Sequence, residues 1–148
     1  EGMTKPTTFD RNALTKDLAI KKFRKLQNEN HNKWCYASLE DVKNSFKKYN
    51  LLDKAVFIKG DVNNTLDDLN NLPRNISLLR LDTDWYESTK KELEILYPLL
   101  QYRGILIVDD YGHWEGARKA VDEYIRKIKP GNKPMQWVID YTGRGYIK

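Results

Sequence analysis

The sequence has only one cysteine among its 148 residues, and it has no long hydrophobic run. A lone Cys35 excludes a disulfide bond within the chain and a zinc site built from cysteines. This fits a reducing compartment, so a cytoplasmic location is expected. No run reaches about 18 apolar residues, the length that a membrane-spanning helix needs. No secretory signal is visible, and a membrane is therefore not an expected partner.

The charge balance gives little support to nucleic-acid binding. The net charge is +5, from 26 basic and 21 acidic residues. Most lysines lie in stretches such as KKFRKL and NSFKKYN, where apolar residues recur between them as in a helix with a solvated face. No RNA-recognition or zinc-finger signature accompanies the charge, so nucleic acid is not an expected partner. With 40% hydrophobic residues, the chain is expected to form a single domain, residues 1–148, around one core.

The hydrophobic pattern changes its period along the chain, which predicts alternating helices and strands. Helices are predicted at 13–29, 37–52, 61–69, 86–100 and 114–128. Strands are predicted at 55–60, 76–81, 104–110, 135–141 and 145–148. Ser38, followed by Glu40 and Asp41, marks a helix start, because a hydroxyl caps free amides and acids suit the positive end of the helix dipole. Apolar strands alternating with helices predict an α/β fold whose parallel sheet is covered on both faces.

Two strands of the predicted sheet each end in a pair of acids. Asp82 and Asp84 end the strand in LLRLDTDWYEST, and Asp109 and Asp110 end the strand in GILIVDDYG. The spacing fits one helical crossover between parallel neighbours, which would gather all four carboxylates at the rim where such sheets bind ligands. Gathered acids repel one another unless a counter-charge is present. Carboxylate oxygens favour a hard divalent ion, Mg²⁺ ahead of Mn²⁺ or Ca²⁺.

Other interpretations of these acids stay open on the residues alone. Asp84 could cap the helix that begins near Tyr86, and Asp110 could cap the following turn. An Asp-x-Asp after a strand also occurs in haloacid-dehalogenase-type phosphatases and in nucleotide-sugar glycosyltransferases. The phosphatases need a lysine and a hydroxyl residue on intervening strands that cannot be placed here, and the rest of the glycosyltransferase fold is absent. A phosphohydrolase is the weaker alternative.

The segment LLRLDTDWYESTKKELEILYPLL, followed by GILIVDDYGHWEGARKAVDEYI, resembles the macrocin O-methyltransferase family. EGMTKPT, SLEDVK and FIKGDVNNTL resemble further parts of it, so the resemblance covers nearly the whole chain. It implies an enzyme that uses S-adenosylmethionine and Mg²⁺ to methylate sugar hydroxyls of macrolide and aminocoumarin antibiotics. It also implies a Rossmann-like class I methyltransferase sheet, mostly parallel, with an antiparallel final strand.

The resemblance implies a role for each of the four acids. Asp82 resembles the metal ligand after the family's fourth strand, and Asp109 and Asp110 resemble the metal pair after the fifth. Asp84 resembles the general base that takes the proton from the acceptor hydroxyl. The expected partner is therefore a small hydroxyl-bearing molecule, a sugar or a secondary metabolite. The oligomeric state stays open, with a homo-oligomer among the alternatives.

Residues outside the acid pairs are also candidates for the site. Gly60, Asp61 and Val62 stand where class I methyltransferases approach the adenine of the cofactor. His113 and Trp114 follow the second acid pair and are candidates for lining the acceptor pocket. The alternative, in which Trp114 packs at a helix start and His113 is merely exposed, is equally open.

One departure from the family pattern affects the expected activity. The family begins with a strand, a Gly-rich turn and a helix that bind the cofactor, followed by a strand with an acid for its ribose, and these parts have no counterpart here. No G-x-G-x-x-G occurs, and Gly143 and Gly145 lie in the predicted closing hairpin. The chain is therefore expected to be an N-terminally truncated, C-terminal part of a longer enzyme. A noncatalytic remnant that binds a ligand through the same fold is the alternative from another functional class.

Overall fold

A computed structural model describes residues 2–148 as an α/β fold built around a four-stranded sheet. The helices are α1 (Ala19–Leu26), α2 (Leu39–Lys48), α3 (Val62–Thr65), α4 (Tyr86–Leu96) and α5 (Glu115–Lys127). The strands are β1 (Ile76–Leu81), β2 (Leu100–Val108), β3 (Met135–Val138) and β4 (Arg144–Ile147). The strand order is β1-β2-β4-β3, with β1 parallel to β2 and with β4 antiparallel to both its neighbours. The predicted α/β class and the antiparallel closing strand are therefore confirmed.

The core lies between one face of the sheet and the helices α4 and α5. In β2 the side chains of Leu106 and Val108 are buried and alternate with more exposed neighbours, as the two-residue period of a strand requires. Leu93 of α4 and Val121 of α5 are fully buried in the same cluster. Because α4 connects two parallel strands, it returns the chain across the sheet and brings their carboxyl ends to the same edge.

The opposite face of the sheet is open in the described residues, so the prediction of a sheet covered on both faces is wrong there. Leu78 of β1 is 59% exposed and Met135 of β3 is 65% exposed. Both α4 and α5 pack on the other face, where they also contact each other. The near-continuous apolar runs therefore reflect one buried face and one exposed apolar face.

Two predicted elements differ from the structure because of the hydrogen bonds that their residues form or lack. Residues 55–60 do not form a strand, because they have no neighbouring strand to pair with, and Val56 is 88% exposed. The helix predicted at 13–29 is confined to α1, because the side-chain oxygen of Asn12 accepts hydrogen bonds from the backbone N–H groups of Leu14 and Thr15. Such local bonds compete with the helix.

Other boundaries agree with the pattern more closely. Ser38 caps α2, and Asp41 completes a capping box with it, as the acids after Ser38 suggested. The helix predicted at 86–100 ends as α4 at Leu96, and Leu100 already belongs to β2. No helix within residues 2–148 combines the length and the apolar character that crossing a bilayer requires.

Glu92 is a buried carboxyl group on α4 that should make the fold less stable as the pH rises. Burial raises the pKa of Glu92 from 4.5 to about 7, and the hydrogen bond that Thr83 donates to it only partly opposes this effect. Between these values the unfolded chain has lost the proton while the folded chain still holds it. The contribution of Glu92 to the free energy of unfolding is therefore greatest at low pH and falls by about 3 kcal/mol as the pH rises through this window.

Urea unfolding of the wild type and of Glu92→Gln at pH 5 and pH 8 measures this effect. The glutamine variant should lose clearly less stability between the two pH values, since it has no proton to release. Glu87→Gln, an exposed position of the same helix, is the control and should follow the wild type. Equal pH dependence in wild type and Glu92→Gln would contradict the prediction.

Candidate metal and acceptor site

Three carboxylates lie together at the carboxyl ends of β1 and β2. The backbone N–H of Asp109 donates to the carbonyl of Leu81 at 3.0 Å, so the two strands remain in step one residue beyond their assigned ends. Asp82, Asp109 and Asp110 each place one carboxylate oxygen within 4.8 Å of the others. The sequence predicted this proximity from strand pattern and spacing.

Arg80 bridges two of these acids across the exposed edge of the site. Its Nη1 lies 2.6 Å from Asp82 Oδ2 and its Nη2 lies 2.8 Å from Asp109 Oδ1. Burial raises the pKa of Asp82, the charge of Asp109 raises it further, and Arg80 opposes both. All three side chains are roughly half exposed, and ion pairs of this kind contribute only about 0 to 1 kcal/mol. The guanidinium group shows that the cluster attracts positive charge, and it is weakly enough held to be displaced.

Asp110 is the inner member of the cluster and pairs with Asp84. Burial raises the pKa of Asp110 to about 8, and the charge of Asp84 adds to this rise. Burial also raises the pKa of Asp84, while hydrogen bonds from Asp110 and Trp114 oppose it. The proximity of Asp84 therefore favours the protonated form of Asp110 when no cation is bound. Its Oδ2 is buried and has no hydrogen-bond partner within residues 2–148.

The donor set suits a hard divalent cation. Three carboxylate oxygens can reach one point, and none of the donors is a sulfur or an imidazole nitrogen. A buried carboxyl oxygen without a partner, such as Oδ2 of Asp110, is costly unless an ion or another group satisfies it. The residues present therefore fit Mg²⁺.

The loop between β1 and α4 aims the side chain of Asp84 into the site. Asp84 has a φ of 65°, in the left-handed region that aspartate tolerates better than most residues. The Trp85 N–H donates to the carbonyl of Thr83 at 2.7 Å, which tightens the turn. The Nε1 of Trp114 donates to Asp84 Oδ1 at 2.9 Å and holds the carboxylate in place.

Asp84 does not cap the helix that follows it, and the capping alternative is therefore wrong. The first free N–H of α4, from Tyr86, donates instead to Oδ1 of Asp10 at 2.8 Å. The side chain of Asp110 likewise caps no turn within the described chain, since only its backbone carbonyl accepts, from the N–H groups of His113 and Trp114.

A cluster of three tryptophans supports the acid-bearing loops. Trp34, Trp85 and Trp114 pack edge to face, with ring centroids 5.1 to 5.8 Å apart. All three are buried, and their contacts join the loop after α1 to the loops after β1 and β2. Trp114 packs at the start of α5, as one alternative predicted, and it also contacts Asp84; its role toward an acceptor stays a prediction.

A cavity of about 730 Å³ opens beside the carboxylates. Asp84, Asp109 and Asp110 line one side of it, together with His113 and Trp114. The N-terminal loop and α1 line the other side. Its size lies in the range of small-molecule sites. His113 is half-buried rather than merely exposed, and it faces the same space.

The predicted cofactor residues lie apart from this cavity. Gly60 has a φ of 145°, which favours glycine, and Asp61 caps α3 by accepting from the N–H of Asn63 at 2.9 Å. None of Gly60, Asp61 and Val62 lines the cavity in the described part of the chain. The structure therefore does not bring them together with the acid cluster.

Two residues of the polar N-terminal loop were not predicted to take part in the site. Asp10 holds the start of α4, and Asn12 contacts His113. Neither belongs to a periodic pattern, so only their long-range contacts show what they do. The single sequence signal was the turn-forming character of aspartate and asparagine in FDRN.

Comparison with known proteins gives a consistent set of relatives. The family described as Macrocin-O-methyltransferase (TylF) matches residues 9–148. A demethyldecarbamoylnovobiocin O-methyltransferase of Streptomyces niveus is 39% identical over 107 residues, which are 71% of this chain and 40% of that protein. An 8-demethyl-8-(2,3-dimethoxy-alpha-L-rhamnosyl)-tetracenomycin-C 4'-O-methyltransferase of Streptomyces olivaceus is 37% identical over 102 residues, 68% of this chain and 38% of that protein.

Solved structures agree with this comparison. The structure of the O-methyltransferase NovP has a TM-score of 0.72 and 29% identity, and the match covers 97% of this chain and 58% of that one. The apo structure of CalS11, a TDP-rhamnose 3'-O-methyltransferase, has a TM-score of 0.55 and 20% identity, covering 76% of this chain and 53% of that one, and supports the fold alone. The chain spans about 40% of the length of the curated relatives it matches.

Proposed function

Because the chain belongs to the macrocin O-methyltransferase family, we propose that residues 1–148 belong to a single domain of an S-adenosylmethionine- and Mg²⁺-dependent O-methyltransferase. Its acceptor is the hydroxyl of a small molecule, a sugar or a secondary metabolite, as the names of the relatives suggest. The observation that carries the proposal is the cluster of Asp82, Asp109 and Asp110 beside a cavity that also contains Asp84. The phosphohydrolase alternative has no comparable support among the relatives.

Asp82, Asp109 and Asp110 would hold the metal ion. When bound, Mg²⁺ supplies a Lewis acid that lowers the pKa of a coordinated hydroxyl, and S-adenosylmethionine supplies the methyl group. The carboxylates contribute negative charge and hard oxygen donors. Asp110 would act as a ligand in its ionised form, and Arg80, which pairs with Asp82 and Asp109, would compete with the ion for these two carboxylates.

Asp84 is the proposed general base. It lines the cavity, and the hydrogen bond that Nε1 of Trp114 donates to it favours its ionised form. A sugar hydroxyl is a poor nucleophile at neutral pH, so a carboxylate that accepts its proton accelerates attack on the methyl group. The buried tryptophans around this loop fix the position of the carboxylate and exclude water from its inner side.

Gly60, Asp61 and Val62 are the proposed contribution to the adenine end of the cofactor. Their place in the family pattern supports this assignment. The backbone of Gly60 favours glycine, and a side chain there would meet the methyl group of Thr65. This part of the proposal predicts measurable calorimetric binding of S-adenosylmethionine to the full-length enzyme that includes this chain.

Calorimetric titration with MgCl₂ tests the metal site. The wild type should bind, and Asp109→Asn and Asp110→Asn should each weaken binding by about 10- to 100-fold or more, because each removes a charged ligand. Asp122→Asn is the matched control, since Asp122 accepts from the Tyr111 hydroxyl outside the cluster. Transfer of labelled methyl from S-adenosylmethionine to a panel of simple glycosides tests the reaction. A full-length enzyme that includes this chain but binds neither the ion nor S-adenosylmethionine would overturn the proposal.

Arg80 should compete with the metal ion. Arg80→Gln is expected to tighten Mg²⁺ binding by about 3- to 10-fold, because two weak ion pairs no longer need to break. The same titration measures the change. Lys91→Gln removes a charge of the same sign whose partner is Asp67, and it should leave the affinity unchanged. Weaker binding by Arg80→Gln would mean that Arg80 orders the carboxylates for the ion.

A further inference from the structure

The side-chain amide of Asn12 has only one orientation that satisfies its neighbours. Its Oδ1 accepts from the N–H groups of Leu14 and Thr15, both at 2.9 Å. The reverse orientation would turn the NH₂ group toward two N–H donors, which cannot accept from it. The backbone on either side is also fixed, because the N–H of Ala13 donates to the carbonyl of His113 at 2.8 Å.

In this orientation the NH₂ group of Asn12 faces the Nε2 atom of the His113 imidazole. The distance from Asn12 Nδ2 to His113 Nε2 is 3.3 Å. An amide NH₂ only donates, so Nε2 must accept in this contact, which places the ring proton on Nδ1. The ring is held edge to face against Trp114, with centroids 4.8 Å apart and an interplanar angle of 82°.

The Nδ1–H group of His113 remains free to donate a hydrogen bond to a ligand in the cavity. His113 lines that cavity, and no residue within 2–148 forms a hydrogen bond with its Nδ1. Trp114 contacts both His113, through its ring, and Asp84, through Nε1. His113 as a donor and Asp84 as an acceptor therefore both contact the indole of Trp114.

We propose that Asn12 fixes His113 as the Nδ1–H tautomer, so that His113 donates a hydrogen bond to an acceptor oxygen next to the hydroxyl that Asp84 deprotonates. Asn12 is then a positioning residue, and His113 binds the acceptor. An acceptor with two neighbouring oxygens, one facing each residue, matches this arrangement. The role of His113 toward the acceptor rests on the proposed function; its tautomer does not.

Long-range ¹H–¹⁵N correlation spectra of the ¹⁵N-histidine-labelled full chain test the tautomer. The chain has two histidines, so His31→Gln assigns the signals of His113. We expect Nδ1 to be protonated and Nε2 to be the acceptor, although neutral histidine in water prefers the opposite form. Asn12→Asp keeps the acceptor for Leu14 and Thr15 but faces Nε2 with an acceptor, and it should place a proton on Nε2. An Nε2–H signal in the wild type, or an unchanged spectrum in Asn12→Asp, would overturn the proposal.

Methyl transfer by the full chain tests the use of the donor. The amide of an asparagine at position 113 can replace Nδ1–H, whereas that of a glutamine reaches the place of Nε2. His113→Asn should keep the KM for the acceptor within about 3-fold, and His113→Gln should raise it by about 10-fold with less change in kcat. Equal KM values for the two variants would overturn the role in acceptor binding. If no glycoside is methylated by the wild type, the proposed function fails, while the spectra still decide the tautomer.

Discussion

Replacing Asp84 with asparagine should lower the rate of methyl transfer by a factor of about 10² to 10⁴, the usual contribution of a general base. The substitution removes the carboxylate that accepts the hydroxyl proton while it keeps the shape of the side chain. The amide oxygen can still accept the hydrogen bond from Nε1 of Trp114, which in the wild type donates to Asp84 Oδ1 at 2.9 Å. Asparagine also tolerates the left-handed backbone at this position, where φ is 65°.

The fold and the metal site should survive this change, which makes the kinetic result specific. The thermal unfolding temperature of Asp84→Asn should match that of the wild type closely. Its affinity for Mg²⁺ should stay within about 3-fold of the wild-type value, since Asp84 lies outside the three-oxygen cluster. Loss of the negative charge of Asp84 should also bring the pKa of Asp110 down toward its ordinary range. A variant that retains more than half of the wild-type rate would show that another group accepts the proton.

Replacing Asp10 with alanine should lower the free energy of unfolding by about 3 to 5 kcal/mol, the largest loss of stability expected from a single polar residue here. Asp10 is completely buried. It accepts from the N–H of Tyr86 at 2.8 Å and from the N–H and the hydroxyl of Thr7 at 2.6 and 2.8 Å. Alanine would leave the buried N–H of Tyr86 and the partly buried donors of Thr7 without this partner, and it would remove the cap of α4.

Urea unfolding at neutral pH measures this loss. Asp10→Asn retains one acceptor oxygen and should therefore lose less stability than Asp10→Ala. Asp41→Ala is a matched control, because Asp41 also serves a helix start, but on the exposed helix α2, where a lost capping box costs about 1 kcal/mol. An Asp10→Ala variant within 1 kcal/mol of the wild type would contradict the prediction.

The strand pattern was enough to predict the position of the acids. The apolar runs predicted two strands of one sheet, and parallel neighbouring strands have their carboxyl ends at the same edge. Asp82 and Asp109 were therefore expected to lie close together. Helix α5 was predicted to within a residue of its observed ends because its apolar positions recur at a helical period. The spacing of apolar residues along the sequence reflects which side chains are buried, and the positions of these strands and of α5 depend on that burial.

Other features depend on contacts between distant parts of the chain, and no local pattern encodes them. Residues 55–60 have the composition of a strand but lack a neighbour, and pairing decides whether a strand forms. Asp10 and Asn12 look like ordinary loop residues until the fold brings Tyr86 and His113 to them. Arg80 follows the alternation of β1, but only the packed sheet shows that it reaches Asp109.

The N-terminal loop joins the two acid-bearing loops of the sheet by separate bonds. Asp10 holds the N–H of Tyr86, the carbonyl of Arg11 accepts from the N–H of Glu115 at 2.9 Å, and Ala13 donates to His113. Detaching this short stretch would release the beginnings of α4 and α5 in one event. Amide protons at the starts of both helices should therefore exchange with deuterium at a common rate, as members of one unit of local opening.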